Sequence, residues 1–354
     1  ATLLALAAYW SGGTSSFDEL FYDTFESVSA PPADDNVLII AIDDKSISAL
    51  GRWPWDRAIH AKLVKSLQQA NPRTITLDLL LSEPTQSDDI LARAIASGSA
   101  PVLLPMHFSA PGDGRLGYDP ARPAEVLRQE AKSVGHANIL FDPDGIVRKT
   151  NLCFRDGSNA NRWPHISEYI YRGGGDTKSP AFAADASCGQ ELRIPFSERG
   201  SFSEISYIDV LEGNLPADFV RGKDVIVGSV AAGMGDSYPT PNGEMGLLPG
   251  SEIMANVVGA LRRNDFITSP PKLLVAGLSL LPLWILLIGF LRWPPRLALS
   301  ISVMSLFAIL GTTLLLLSYR IWLPPGTTLI GVIIAYPLWG WRRLQAMSDF
   351  LNVR

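Results

Sequence analysis

Charge is scarce in this chain. Its 354 residues include 30 Lys+Arg and 35 Asp+Glu, so 18% are charged against 47% hydrophobic. A soluble domain carries about a quarter charged residues. The deficit, with a mean hydropathy of +0.16, argues against an ordinary cytosolic enzyme and against a disordered chain. Basic residues form no stripe, and a net charge of -5 argues against nucleic acid as a partner. Cysteine is nearly absent. Cys153 and Cys188 are too few for a disulfide-stapled scaffold and too far apart for a CxxC zinc or redox motif. A bond between them is one option in an oxidising compartment. GxSxG is missing, and His60, His107, His136 and His165 lack HExxH spacing, so core or surface histidines are the default. No cofactor is implied.

What the chain has instead is long apolar runs. Leu273–Leu291 reads LLVAGLSLLPLWILLIGFL and Leu297–Leu317 reads LALSISVMSLFAILGTTLLLL, both without a charge, and a third run covers Ile321–Trp341. A bilayer core about 30 Å thick takes about twenty helical residues, and none of these windows shows the polar face of a soluble core helix. They predict transmembrane helices at 272–291, 297–317 and 321–341. Pro282 and Pro337 predict kinks. The short Arg292–Arg296 connection predicts a tight hairpin, and Arg292, Arg296, Arg342 and Arg343 then share one side, the cytoplasmic one. Arg262, Arg263 and Lys272 conflict with that assignment, but long translocated domains obey the charge bias weakly. The opening ATLLALAAYW is too short to span, and residues 1–16 read as the outer end of a further helix. A cleaved signal peptide is the alternative. Residues 342–354 read as the start of a cytoplasmic signalling helix, with Leu344, Met347 and Leu351 at one-heptad spacing.

Between these lies a region, 17–264, large enough for one core. Phe17, Phe21 and Val28 fall at helical spacing. Asn36–Ile42 and Thr74–Leu80 are continuous apolar runs of the kind buried on both faces of a parallel sheet. With helices at His60–Ala70 and Asp88–Ala96 and a strand at Pro101–Leu104, the order is βαβαβ, an α/β layer with a mostly parallel sheet. Ala110–Pro123 reads as a surface loop or flap, Gly135–Phe154 as a hairpin turning at Asp142–Gly145, Asp224–Val230 as a strand, and Pro249–Leu261 as a helix.

Ligands of open α/β sheets sit at the carboxyl edge of the strands, which is where Asp43, Asp44 and Asp78 fall. Clustered carboxylates there could hold a divalent cation or accept hydrogen bonds. They could equally cap a helix near Ser46 or pair with an arginine. Gly51–Arg57 (GRWPWDR) sets Trp53, Trp55 and Arg57 around a proline. That suits ligand stacking or a partner surface, and burial over the sheet edge is the plainer account. Gly228–Gly235 (GSVAAGMG) lacks the Lys of a P-loop and the spacing of GxGxxG. A glycine turn against another segment is preferred, with Asp236 joining the carboxylate edge.

The strings IAIDDKSISALGRWPWDRAIHAKLV, TITLDLLLSEP, GHANILFDPDGIVRKT, KDVIVGSVAAGMGD and LPGSEIMANVVGAL, in this order, resemble the CHASE2 family of bacterial extracytoplasmic sensor domains. The resemblance implies a receptor with three membrane helices after the domain and a cytoplasmic histidine kinase or cyclase as output. Met254 stands where many members carry histidine. The expectation is therefore a non-catalytic, inner-membrane sensor fragment, probed by an unidentified small-molecule or envelope ligand and working as a homodimer in the lipid bilayer. Its ligand-binding candidates are Asp43, Asp44, Trp53, Trp55, Arg57, Asp78 and Asp236. The rival is a membrane-anchored hydrolase with a metal on Asp43, Asp44, Asp78 and Asp236. A transporter is disfavoured by the uncharged spans.

Overall fold

The computed structural model describes residues 2–109, 119–155, 162–175, 188–231, 233–241 and 247–352. Contacts divide the chain into two units, Ser29–Phe266 and the pair of segments Ala1–Val28 and Ile267–Arg354. Helices α1 (Thr2–Ser11) and α2 (Ser15–Val28) open the second of these, parted by a turn in which Gly12 takes a positive φ of 69°.

The α/β unit begins with β1 (Val37–Ile42), α3 (Asp44–Leu50), α4 (Arg57–Gln69), β2 (Thr74–Leu77), α5 (Asp88–Ala96) and β3 (Val102–Ser109). Next come β4 (Asp119–Ala121), α6 (Glu125–Glu130), β5 (Ser133–His136), β6 (Lys149–Asn151), β7 (Cys153–Arg155), β8 (Arg162–Pro164), α7 (Ile166–Tyr171) and β9 (Glu191–Arg193). The unit closes with β10 (Ser203–Ser206), α8 (Tyr207–Leu211), α9 (Ala217–Val220), β11 (Asp224–Ser229), β12 (Ser237–Pro239), β13 (Leu247–Pro249) and α10 (Gly250–Arg263).

Its main sheet runs β10-β1-β11-β2-β3, with β4 and β5 both on β3. Every pair is parallel except β3 with β4. Strand periodicity sends alternate residues to opposite faces. Leu38, Ile40 and Ile42 of β1, with Val225 and Val227 of β11, pack in one apolar core under α4, α5 and α8. Val37, Ile39 and Ile226 pack in another, under α7 and α10. Both faces are covered, which is why β1 and β11 read as unbroken apolar runs. The result is three layers, helices on either side of a mostly parallel sheet.

Two expectations change here. The hairpin expected over 135–154 forms only around its turn: Leu140 and Lys149 make an antiparallel bridge across it, while β5 joins β3 in the main sheet and β6 pairs also with β9. The Asp142–Gly145 turn itself forms, with the Gly145 amide donating to Asp142 O at 2.8 Å. Arg148, 1% exposed, holds it shut by pairing with Asp142 and Asp144. The strand expected to stop at Leu104 continues to Ser109. Of the expected flap, 110–118 lie outside the described residues, and 119–121 form β4. Cys153 and Cys188 are joined in a disulfide.

The helical unit is completed by α11 (Lys272–Gly289), α12 (Pro295–Ser318) and α13 (Gly326–Asn352). Helices α11 and α12 are long and apolar enough to cross a membrane, with mean hydropathy 2.1 each, and only 33% and 17% of their apolar windows are buried. A soluble core helix would hide such surface; here Leu281, Trp284, Ile288, Met304 and Phe307 stand exposed. The hairpin turn is tight because Trp293 lies on Gly289, where a Cβ would come within 2.2 Å of the indole. Pro295 then starts α12 at a position where its missing amide costs nothing.

The third apolar run differs from expectation. Residues 321–325 are not helical: Ile321 bridges to Thr268. Helix α13 starts only at Gly326, whose amide donates to Asp18 Oδ1 of α2 at 2.6 Å. Residues 326–341 give about 24 Å of apolar helix at about 1.5 Å per residue, short of the about 30 Å of a bilayer core. The helix runs on through Arg342 and Arg343 to Asn352. Phe290 stacks on Trp339 at 5.0 Å, and Arg343 lies 5.3 Å over the same indole.

Candidate functional site: a cavity at the carboxyl edge of the sheet

Because β1, β11, β2 and β3 are parallel, their carboxyl ends emerge along one edge. Asp78 follows β2 on the face shared with Thr76, opposite to Ile75 and Leu77. On that face α10 packs on the sheet, and its first residues come close to the strand ends. Its approach needs two residues without side chains: a Cβ on Gly228 of β11 would lie 2.6 Å from Ser251 Cβ, and one on Gly250 would lie 2.5 Å from Asp236 Oδ1. Within 228–235, Gly228 thus serves close packing against another segment, as the preferred reading had it, whereas Gly233 and Gly235 supply turns with positive φ of 83° and 78° and open space beside them; Ala232 lies outside the described residues.

Beside this contact is a cavity of about 250 Å³. Its polar lining includes Asp78, Asp236, His107, His165, Lys149 and Tyr238, and its apolar walls include Trp53, Met234, Ile253 and Met254. Burial pushes the Asp78 carboxyl up to about 8, and the nearby Asp236 carboxylate adds to the rise. Asp236 is itself raised by burial, partly offset by the Tyr238 hydroxyl bonded to it. Asp78 therefore keeps its proton near neutrality, beside the Asp236 carboxyl. His165 is 4% exposed, and its Nδ1 accepts the Ser167 amide at 3.2 Å. Burial lowers its pKa to about 3, and burial lowers His107 too. Both imidazoles are therefore neutral. The Lys149 ammonium is held by Asp142 at 2.8 Å and Glu191 at 3.2 Å.

The predicted site residues scatter among different duties. Asp78 and Asp236 meet in the cavity, and Trp53 lines it. Asp43 caps α3 instead: its Oδ1 accepts the Ser46 amide at 2.8 Å and the Ser46 and Ser206 hydroxyls at 2.5 and 2.9 Å. Burial pulls its carboxyl up, but these bonds outweigh burial and hold it below the usual range. Asp44 is exposed in the first turn of α3. Trp55 is a core residue, 5% exposed, whose indole donates to Gly51 O at 2.9 Å. It packs on Tyr207, which is bonded to His60 Nδ1 at 2.8 Å. Arg57 is buried against Asp88 at 3.3 Å. Among the described residues no three His, Cys, Asp or Glu side chains are grouped to hold a metal, so the four-aspartate metal site is not assembled. Sequence reasoning missed His107, His165, Lys149 and Tyr238. Extending β3 past Leu104 would have brought His107 to the edge.

The family model described as the CHASE2 domain matches residues 1–293, most of the chain and all of the cavity. The chain belongs to the CHASE2 family. CHASE2 domains are extracytoplasmic sensor domains. Comparison with curated proteins gives no match, and comparison with solved structures gives none. The cavity of this CHASE2 domain has Met254 in its wall, and its imidazoles come from β3 and from the residue before α7.

Proposed function

We propose that this chain is the sensory part of a bacterial inner-membrane receptor, its CHASE2 domain outside the cytoplasm and its apolar helices in lipid. One observation carries the reading: a sensor domain is continuous in sequence with helices whose apolar sides are left uncovered. In this reading 17–264 senses, 272–291 and 297–317 cross the membrane, and the apolar start of α13, 326–341, packs beside them in the lipid together with α1. Residues 342–354 lead to a cytoplasmic kinase or cyclase. Arg292, Arg296, Arg342 and Arg343 mark the cytoplasmic side. The contrary charges Arg262 and Arg263 are occupied, the first with Asp34 and Asp224 and the second with Asp265. The receptor works as a homodimer, and a stimulus acts by binding its two signalling states with different affinity. The cavity beside Asp78 is where that stimulus is read; the fragment has no reaction of its own to perform.

Labelling tests the sidedness. With Cys153 and Cys188 bonded, single cysteines at Arg52 and Arg292 are the reactive thiols. A membrane-impermeant maleimide is expected to label Arg52→Cys in intact cells and Arg292→Cys only after permeabilisation. The reverse pattern overturns the reading.

A further inference from the structure

Most buried acids of the α/β unit are matched to cations. Asp88 has Arg57, Asp142 has Arg148, Glu168 has Arg172, and Asp224 has Arg73. Glu252 accepts the Gly200 amide and feels the charge of Arg199. Asp78 and Asp236, half-buried at the cavity, stand apart. They are shifted by burial, Asp78 also by Asp236, and among the described residues neither forms an ion pair. These two carboxyls are also the ones that line the cavity. Backbone packing fixes them there, since Gly250 meets Asp236 and Gly228 lies against both Asp78 and Ser251. A carboxyl pair that opens on a cavity without an internal cation holds a proton that an ammonium from outside can replace.

The surroundings narrow the class. Lys149, the cationic side chain in the lining, is already committed to Asp142 and Glu191. His165 turns Nδ1 onto the Ser167 amide, so its neutral ring carries the proton on Nε2 and adds no positive charge. An inorganic divalent ion would find no third ligand among the described residues and would face an apolar wall. About 250 Å³ is below the range of drug-sized pockets, about 300–1,000 Å³, and an aromatic face is available at Trp53 for a cation or an apolar chain. We propose that the cavity binds a small organic amine, its ammonium seated on the Asp78–Asp236 carboxyl pair and its apolar body between Trp53, Met234 and Met254. This rests on the reading of the domain as a sensor and names the stimulus class.

Titration calorimetry on the full chain in lipid nanodiscs tests it, with butylamine, hexylamine and 2-phenylethylamine against the matching alcohols and carboxylates. At pH 7 the amines are expected to bind at least tenfold more tightly than the alcohols. Runs in two buffers of different ionisation enthalpy are expected to show close to one proton released per amine, falling away above pH 9. Asp78→Asn is expected to weaken amine binding at least tenfold and to abolish the proton release. Met234→Trp, which keeps both carboxyls and fills the cavity, is expected to weaken binding as much. Alcohols or carboxylates binding as tightly as amines, no binding by any of the three amines, or binding unchanged in Met234→Trp would each overturn the proposal. The two readings fail separately: a domain facing the cytoplasm would still give these heats, and an external domain could give none.

Discussion

Replacing Asp78 by asparagine removes an ionisation that works against the fold. In the unfolded chain this carboxyl titrates near 3.8; in the cavity it is raised to about 8 by burial and by Asp236. Between those values the folded state keeps a proton that the unfolded state has lost. Stability from this group is therefore greatest below pH 3.8, falls as pH rises toward 8, and is level above that. A full proton difference amounts to about 1.4 kcal/mol per pH unit, so the window sets a ceiling of about 6 kcal/mol. Sharing of the proton with Asp236 and water in the cavity reduce this, and about 2–3 kcal/mol at pH 8 is a reasonable expectation. Asparagine has nearly the same shape and no charge. Thermal unfolding of the full chain in detergent, followed by circular dichroism between pH 5 and 9, is the assay. Asp78→Asn should melt above the parent by about 5 °C at pH 8, with the difference shrinking toward pH 5. Parallel curves for the two proteins, or a lower melting temperature for the variant at pH 8, would refute the paired-carboxyl account.

Gly228→Ala should lose about 1–3 kcal/mol through overpacking, because its Cβ would lie 2.6 Å from Ser251 Cβ; an unchanged melting temperature would show that α10 can withdraw. Cys153→Ser should cost about 2–4 kcal/mol, since the bond closes a span of 35 residues. Dithiothreitol should lower the melting temperature of the parent protein and leave that variant unmoved.

The sheet was legible where burial on both faces leaves its mark, in VLIIAI and DVIVGS. Its strand order was not, because β11 enters between β1 and β2 from far along the chain and no local pattern encodes that neighbour. Asp43 and Asp78 look alike in sequence, each closing an apolar strand. Their fates part at the next few residues: Asp43 precedes a helix with Ser46 three residues on, which makes a cap, whereas Asp78 meets a segment more than a hundred residues away. For the Trp53–Trp55 string the plainer reading is burial over the sheet edge, and Trp55 is core, its indole bonded to a carbonyl four residues back. The third apolar run reads as one continuous span in sequence, yet Pro324 and Pro325 delay its helix to Gly326.

The contact between Asp18 and the Gly326 amide ties residues 308 positions apart into one object. A recombinant version trimmed to start after α2 would leave the Gly326 amide at the start of the last helix without this acceptor. Anyone moving this CHASE2 domain into another protein should therefore carry the opening helices along with the closing one, as a single transplantable piece.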